Sequence, residues 1–181
     1  PNTCKAIFFV LWIFSRIFDG IEVDAEGLER VREAARSGPL ILVPSHKSHV
    51  DYLVLSYVCL LNGLVPPYIA AGANLSFWPL GWFFRQGGAF FLRRSFKGDR
   101  LYGSVFRAYL RRIIREGHNV EFFIEGGRSR NGKLLPPKLG MVGMVVEAAL
   151  EDVGQRARAA HVVPISIGDE DVIEEKSYAK E

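Results

Sequence analysis

The sequence contains little cysteine. Among its 181 residues only Cys4 and Cys59 are cysteines, and both lie in apolar surroundings. Their spacing matches no metal-ligand pattern, and two such cysteines do not indicate a disulfide framework. We therefore expect the chain to fold in a reducing compartment.

A hydrophobic run long enough to cross a membrane is also missing, since a spanning helix needs roughly 20 apolar residues. The apolar run from Ala6 to Phe14 is interrupted by Ser15 and Arg16. It suits either a core helix or an interfacial anchor that places Trp12 at a lipid surface. No small-residue cleavage pattern follows, so a signal peptide is not expected. We divide the chain into this segment, 1–20, and a folded core, 21–181.

The bulk composition is that of one folded domain, with 49% hydrophobic and 24% charged residues. The net charge is only +3, but ten arginines lie between Arg85 and Arg130. This local excess of positive charge favours an anionic partner, such as a phosphate, an acidic carrier protein or anionic lipid. Nucleic acid is not expected, because the sequence has no nucleic-acid-binding motif and no basic and aromatic repeat.

Apolar runs alternate with capped helical segments along the chain. The predicted strands are 40–43, 68–71, 89–92, 120–124 and 162–167, and the predicted helices are 24–37, 48–62, 99–116 and 141–150. The aromatic run 77–84 is expected mainly in the core, with contact to lipid or an acyl chain as the alternative. This alternation predicts a layered α/β domain whose largely parallel, or mixed, sheet is flanked by helices. The ligand crevice of such a sheet lies beyond the carboxyl ends of its strands.

His46 and Asp51 lie where the first predicted strand gives way to a helix. Histidine supplies a lone pair near neutral pH, and a carboxylate on its other ring nitrogen fixes the tautomer. On one continuous helix the two side chains would be about 140° apart, so His46 is expected in the preceding loop and Asp51 in the first turn. The competing interpretation is that Asp51 only caps the helix, in a capping box with Ser48.

Three other readings of this segment stay open. His49 is a rival base, although it is only two residues from Asp51. The side chains of His46, His49 and Asp51 together are a candidate metal site, and Ser45 or Ser48 is a candidate nucleophile. No His-Glu-x-x-His or Gly-x-Ser-x-Gly signature supports the last two readings.

Paired arginines follow another predicted strand. Arg93 and Arg94 come directly after the apolar run 89–92. Neighbouring strand residues point to opposite faces, so one of the two is expected to face the crevice. Arginine suits phosphate because its planar fork donates paired hydrogen bonds. A solvated strand end is the alternative.

The third polar cluster runs from Glu125 to Arg130. A carboxylate at the end of an apolar strand is costly unless it is paired, and Gly126 allows close backbone approach to a ligand. The following donors suit a phosphate group; they are Arg128, Ser129 and Arg130, with Lys133 and Lys138 beyond. No P-loop or dinucleotide fingerprint is present, and a basic surface turn is the alternative interpretation.

Four sequence blocks in this order resemble the glycerolipid acyltransferase superfamily. The blocks are His46-x-x-x-x-Asp51, Gly88 to Arg94, Phe123 to Lys133 and Val163 to Ile167. Longer phrases such as HKSHVDYLVLSY and FRQGGAFFLRRSFKGDRLY are most similar to the bacterial, membrane-bound PlsB-type branch. The resemblance covers nearly all of residues 20–181, and it implies that the core is the catalytic part of a longer enzyme.

The resemblance implies transfer of a fatty acyl group from acyl-CoA or acyl carrier protein to the first hydroxyl of sn-glycerol 3-phosphate. The product, lysophosphatidate, would begin phospholipid synthesis at the cytoplasmic face of the inner membrane. His46 would be the base and Asp51 would hold it, with no cofactor and no metal. The substrate-binding positions it implies are Phe91, Arg93, Arg94, Glu125, Gly126, Arg128, Ser129, Arg130 and Pro164.

Three rivals to this function remain. Dihydroxyacetone phosphate could replace glycerol 3-phosphate as acceptor, since the sequence hardly separates the two. The same dyad could also serve a hydrolase of phosphoesters or thioesters. A non-catalytic module that binds membranes or acidic lipids is a rival of a different class.

Overall fold

A computed structural model describes residues 20–48, 51–93, 98–129, 133–150 and 159–168 of the chain. The helices are α1 (Ala25–Ser37), α2 (Asp51–Leu61), α3 (Leu80–Gln86), α4 (Arg100–Arg115) and α5 (Leu139–Leu150), with a 3-10 turn at Ala73–Leu75. The strands are β1 (Leu40–Pro44), β2 (Tyr68–Gly72), β3 (Ala89–Leu92), β4 (Val120–Glu121) and β5 (His161–Ile165). The apolar run at residues 6–14 lies outside the described residues. None of the helices described is long and apolar enough to cross a membrane.

The five strands form one sheet in the order β3-β2-β4-β1-β5. Every strand pairing within the described residues is parallel. Strands and helices alternate along the chain, and each strand returns to the sheet through a crossover connection, as parallel pairing requires. The predicted layered α/β domain with a largely parallel sheet is therefore confirmed. All strands end at the same edge, which is where polar clusters follow β1, β3 and β4.

The central strand β4 is shorter than predicted. The apolar run predicted a strand over 120–124, but the ladder contains only Val120 and Glu121. The Phe122 N–H still donates to the Leu42 carbonyl at 3.2 Å, and the chain then turns, with the Gly126 N–H donating to the Phe123 carbonyl at 3.0 Å. The last apolar residues of the run therefore belong to a loop at the carboxyl edge.

The aromatic run also differs from the prediction. Phe84 is buried, but Phe77, Trp78 and Trp82 are exposed, with Trp78 84% exposed. Core placement was therefore wrong for these three residues. For Trp82 the physical reason is that it lies about 200° from Phe84 on the short helix α3, so packing Phe84 inward turns Trp82 outward. Phe77 and Trp78 precede this helix.

The core has two layers, one on each face of the sheet. Side chains of β1 alternate between them, because successive strand residues point to opposite faces. Ile41 packs against α4 and α5 through residues such as Leu110 and Val145. Leu40 and Leu42 pack on the other face against residues of α2. Helix α2, which begins at Asp51, therefore packs on the face of the sheet that carries Leu40 and Leu42.

Replacing Leu110 with alanine tests this arrangement. Leu110 lies on the buried side of α4 and is 0% exposed. We therefore expect Leu110→Ala to reduce the free energy of unfolding by about 2–5 kcal/mol. Leu101 lies on the same helix and is 75% exposed, so Leu101→Ala should change it by less than about 0.5 kcal/mol. Denaturant unfolding of both variants measures the difference. Equal losses would contradict the assignment of the buried face.

Candidate active site

One oxygen of Asp51 organises the loop that leaves β1. Asp51 Oδ2 lies 3.1 Å from His46 Nδ1, and it accepts hydrogen bonds from the backbone N–H groups of Lys47 at 2.7 Å and Ser48 at 2.9 Å. The bond from the Ser48 N–H is the reciprocal half of the predicted capping box. Asp51 therefore caps the helix and contacts His46 with the same atom, so the two interpretations of the sequence are compatible.

Phe123 and Asp51 hold the His46 imidazole. Its ring stacks on Phe123 with centroids 3.8 Å apart, and its side chain is 12% exposed. An ionised carboxylate only accepts hydrogen bonds, so contact with Asp51 requires the proton of the neutral imidazole on Nδ1. The lone pair is then on Nε2, which makes this atom the available base. The arrangement can remove a proton from a hydroxyl that approaches Nε2.

Glu125 ties two loops together at the carboxyl edge. Its Oε1 accepts from the His46 N–H at 3.2 Å, and its Oε2 accepts from the Leu135 N–H at 2.9 Å. The residue is 3% exposed, so these two hydrogen bonds offset the cost of burying a carboxylate. The sequence predicted that this carboxylate would be paired, and the partners found are backbone N–H groups. A contact between Glu125 and substrate stays a prediction.

The loop after β4 brings positive charge next to His46. The buried Ser129 donates its N–H to the His46 carbonyl at 2.9 Å, which places the partly buried Arg128 beside the dyad. Gly126 has a φ of 59°, and a Cβ there would lie 2.8 Å from Lys138 Cδ. Glycine is therefore favoured at this position, because the Lys138 side chain crosses the loop there.

The predicted arginines divide between described and undescribed positions. Arg93 is exposed at the end of β3, where its guanidinium contacts Asp99 at 3.0 Å and lies over the Tyr102 ring at 4.8 Å. Strand β3 is three strands from β1, so its end lies about 14 Å from the dyad. Arg94 and Arg130 lie outside the described residues, and their contacts with substrate stay predictions.

Two further predicted residues, Phe91 and Pro164, lie on the sheet. Phe91 on β3 packs in the same apolar cluster as Phe123, and the Arg85 guanidinium lies 5.3 Å from the centroid of its ring. Pro164 on β5 is exposed and pairs in register with Val43 of β1. Phe91 therefore shares the dyad's face of the sheet, whereas Pro164 lies on the strand beside the one that leads to His46.

The structure bears on the other interpretations of the segment from Ser45 to Asp51, which are a serine nucleophile, His49 as the base and a metal site. Ser45 Oγ accepts from the Ile167 N–H at 3.1 Å, and Ser48 is 1% exposed. Neither hydroxyl is therefore presented as an exposed nucleophile. His49 lies outside the described residues. The part of the chain that the structure describes holds no cluster of three His, Cys, Asp or Glu side chains with metal-ligand geometry.

Two residues of β4 and its loop were missed by the sequence reasoning. Phe123 supports the His46 ring, and Glu121 lies buried two residues earlier. Period-two alternation through 121–125 was the available signal, because it places Glu121, Phe123 and Glu125 on one face. The acid inside an apolar strand was a second signal at Glu121.

Comparisons with known proteins identify the family of the chain. A family model described as Acyltransferase matches residues 22–168. Curated relatives include a glycerol-3-phosphate acyltransferase of Histophilus somni (strain 129Pt) and one of Pasteurella multocida (strain Pm70). Each is 52% identical over 174 residues, covering 96% of this chain and 21% of the relative. The chain thus spans about a fifth of the length of these relatives.

Among solved structures, the chain is similar to the crystal structure of the 1-acyl-sn-glycerophosphate (LPA) acyltransferase, PlsC, from Thermotoga maritima. The TM-score is 0.42 with 18% sequence identity, and the match covers 95% of this chain and 82% of that chain. The family model covers well over half of the chain and includes every described residue of the dyad and the β4 loop. The chain therefore belongs to the acyltransferase family.

Proposed function

We propose that this chain carries the catalytic site of a glycerol-3-phosphate acyltransferase, which transfers a fatty acyl group from acyl-CoA or acyl carrier protein to the sn-1 hydroxyl. The observation that carries the proposal is the contact of 3.1 Å between His46 Nδ1 and Asp51 Oδ2. This contact leaves the lone pair of His46 on Nε2, so Nε2 is the proposed base. The dyad lies beside the loop that contains Arg128. The names of the relatives support glycerol 3-phosphate as the acceptor.

The reaction needs one base and no covalent enzyme intermediate. His46 Nε2 takes the hydroxyl proton while the hydroxyl oxygen attacks the thioester carbonyl carbon. The new carbon–oxygen bond forms, the carbon–sulfur bond breaks, and the thiolate that leaves takes up a proton. Asp51 keeps the imidazole in the required tautomer and stabilises the imidazolium that forms. The product is lysophosphatidate.

The acceptor phosphate would bind to the positive charge at the carboxyl edge. Arg128 and Lys138 lie on the loops that Glu125 ties to His46. Arginine and lysine donors close to the base would hold the phosphate so that the acceptor hydroxyl reaches Nε2. Arg94 and Arg130 are the further cations that we assign to this subsite, whereas the Arg93 guanidinium is paired with Asp99.

An assay of products tests the reaction class. The native-length protein is incubated with a long-chain acyl-CoA or acyl carrier protein thioester, with and without glycerol 3-phosphate. We expect lysophosphatidate only when the acceptor is present. Release of free fatty acid or phosphate without acceptor would instead support a hydrolase, and faster acylation of dihydroxyacetone phosphate would change the acceptor. Lipid binding without any turnover would support a non-catalytic module.

Removing either member of the dyad should abolish most of the turnover. His46→Ala and Asp51→Asn should each lower kcat by about a hundredfold to ten-thousandfold, because positioned acid–base groups contribute that much. His118→Ala is the matched control, since His118 precedes β4 at the opposite edge, where its ring contacts Tyr68. The control should retain kcat. Activity of the His46 variant within a few-fold of the parent would contradict the role of the dyad.

We also propose that the enzyme works at a membrane surface, on the cytoplasmic face of the inner membrane. Phe77, Trp78 and Trp82 are exposed, and the neighbouring Arg85 is exposed as well. The segment leaves β2 at the carboxyl edge, so Phe77 and Trp78 lie on the side of the sheet where the dyad lies. Exposed aromatic rings next to a cation suit the interface of a bilayer that contains anionic lipid.

Replacing two of these rings tests the membrane contact. Trp78→Ser combined with Trp82→Ser should weaken binding of the native-length protein to vesicles with anionic lipid, and added salt should weaken it further. Val65→Ser is the control, because Val65 is an exposed apolar residue in the loop that enters β2 at the opposite edge. Vesicle sedimentation measures binding. Equal partitioning of the double variant and the control would contradict the proposal.

A further inference from the structure

Glu121 is a buried acid that the proposed reaction does not use. It lies on the central strand β4, in register with Leu42 of β1 and Ile69 of β2, and it is 0% exposed. Parallel partners in register point to the same face, and Leu42 packs against Leu55 and Cys59 of α2. The Glu121 side chain therefore lies between the sheet and the buried face of α2.

The polar atoms in this layer are unsatisfied. Within the described part of the chain, neither carboxyl oxygen of Glu121 has a hydrogen-bond partner, and the same is true of Asp51 Oδ1. Asp51 begins α2 and is itself 0% exposed. Buried polar atoms are almost always hydrogen-bonded. Two buried acids with unpaired oxygens at the same helix therefore require an explanation.

The surroundings of Glu121 disfavour its charged form. Burial raises the pKa of Glu121 well above its ordinary value, and the charge of Asp51 raises it further. Burial, with Glu121 as a second cause, raises the pKa of the Cys59 thiol to about 12. Asp51 and Cys59 lie at opposite ends of the buried face of α2. Glu121 therefore lies beneath the helix, where burial and the nearby Asp51 carboxylate both favour its protonated form.

A neutral carboxylic acid has one O–H donor, and Asp51 Oδ1 is a buried acceptor without a partner. We propose that Glu121 is a positioning residue for the dyad, whose carboxylic acid group supplies a hydrogen bond that reaches Asp51 Oδ1 through one buried water. Asp51 Oδ2 is then left for His46 and the two backbone N–H groups. The Asp51 carboxylate is held at both oxygens, which fixes the orientation of the imidazole.

This role rests on the proposed function of the dyad, and it predicts that stability and turnover respond in opposite directions. An apolar side chain of similar length removes the cost of burying a polar group beneath α2. Glu121→Met should therefore raise the midpoint of thermal unfolding. The same variant removes the donor to Asp51, so it should lower kcat by about tenfold to a hundredfold, the range for hydrogen bonds to charged groups.

The test compares three variants of the native-length protein with a long-chain acyl-CoA and glycerol 3-phosphate. Glu121→Gln retains an N–H donor of nearly the same shape, so its kcat should stay within about threefold of the parent. Glu121→Met should lose kcat without a change in the KM for glycerol 3-phosphate. His46→Ala, measured in parallel, reports on the proposed function separately. If His46→Ala is inactive while Glu121→Met keeps the parental kcat, only the positioning role is overturned.

Two other outcomes would also overturn the positioning role. One is an equal loss of kcat in Glu121→Gln and Glu121→Met, because the donor would then be irrelevant. The other concerns the infrared spectrum of protein labelled with ¹³C-glutamate, which needs no apolar variant to fold. We expect the carbonyl stretch of a protonated glutamic acid at neutral pH in the parent and its loss in Glu121→Gln. Absence of that band in the parent would contradict the proposal.

Discussion

The site depends on the hydrogen bonds that converge on one carboxylate oxygen of Asp51. The His46 ring and the N–H groups of Lys47 and Ser48 all lie within 3.1 Å of Oδ2. Without this acceptor, the His46 ring and the two backbone N–H groups would lose the partner that holds the loop between β1 and α2 in its folded-back conformation. The bonds that cap the helix therefore also create the base, and the partial positive charge at the start of α2 favours the carboxylate there.

Glu125 extends this constraint from the loop after β1 to the loop after β4. Its two oxygens join the His46 N–H to the Leu135 N–H, and the Ser129 N–H returns a hydrogen bond to the His46 carbonyl. His46 and the basic loop after β4 are thereby linked by hydrogen bonds to backbone atoms. The positions of the cations relative to His46 are then set by the fold, and substrate binding has less loop ordering to pay for.

Much of the fold, and the loop that joins His46 to Asp51, could be predicted from local sequence. The alternation of apolar runs and caps predicted the parallel sheet, and the spacing of His46 and Asp51 predicted the folded-back loop. The rest depends on tertiary contacts that no local pattern encodes. The stacking of Phe123 on His46 and the backbone partners of Glu125 require that β1 and β4 be neighbours. The exposure of Trp82 likewise follows from which side of α3 packs inward.

The central claim is that His46 is held as a base with its proton on Nδ1 and its lone pair on Nε2. Nitrogen-15 NMR of histidine-labelled, native-length protein at alkaline pH tests this tautomer directly. The account predicts a protonated Nδ1 and an unprotonated Nε2 for His46, and an Asp51→Asn variant should lose this preference. A protonated Nε2 with a bare Nδ1 in the parent protein would contradict it.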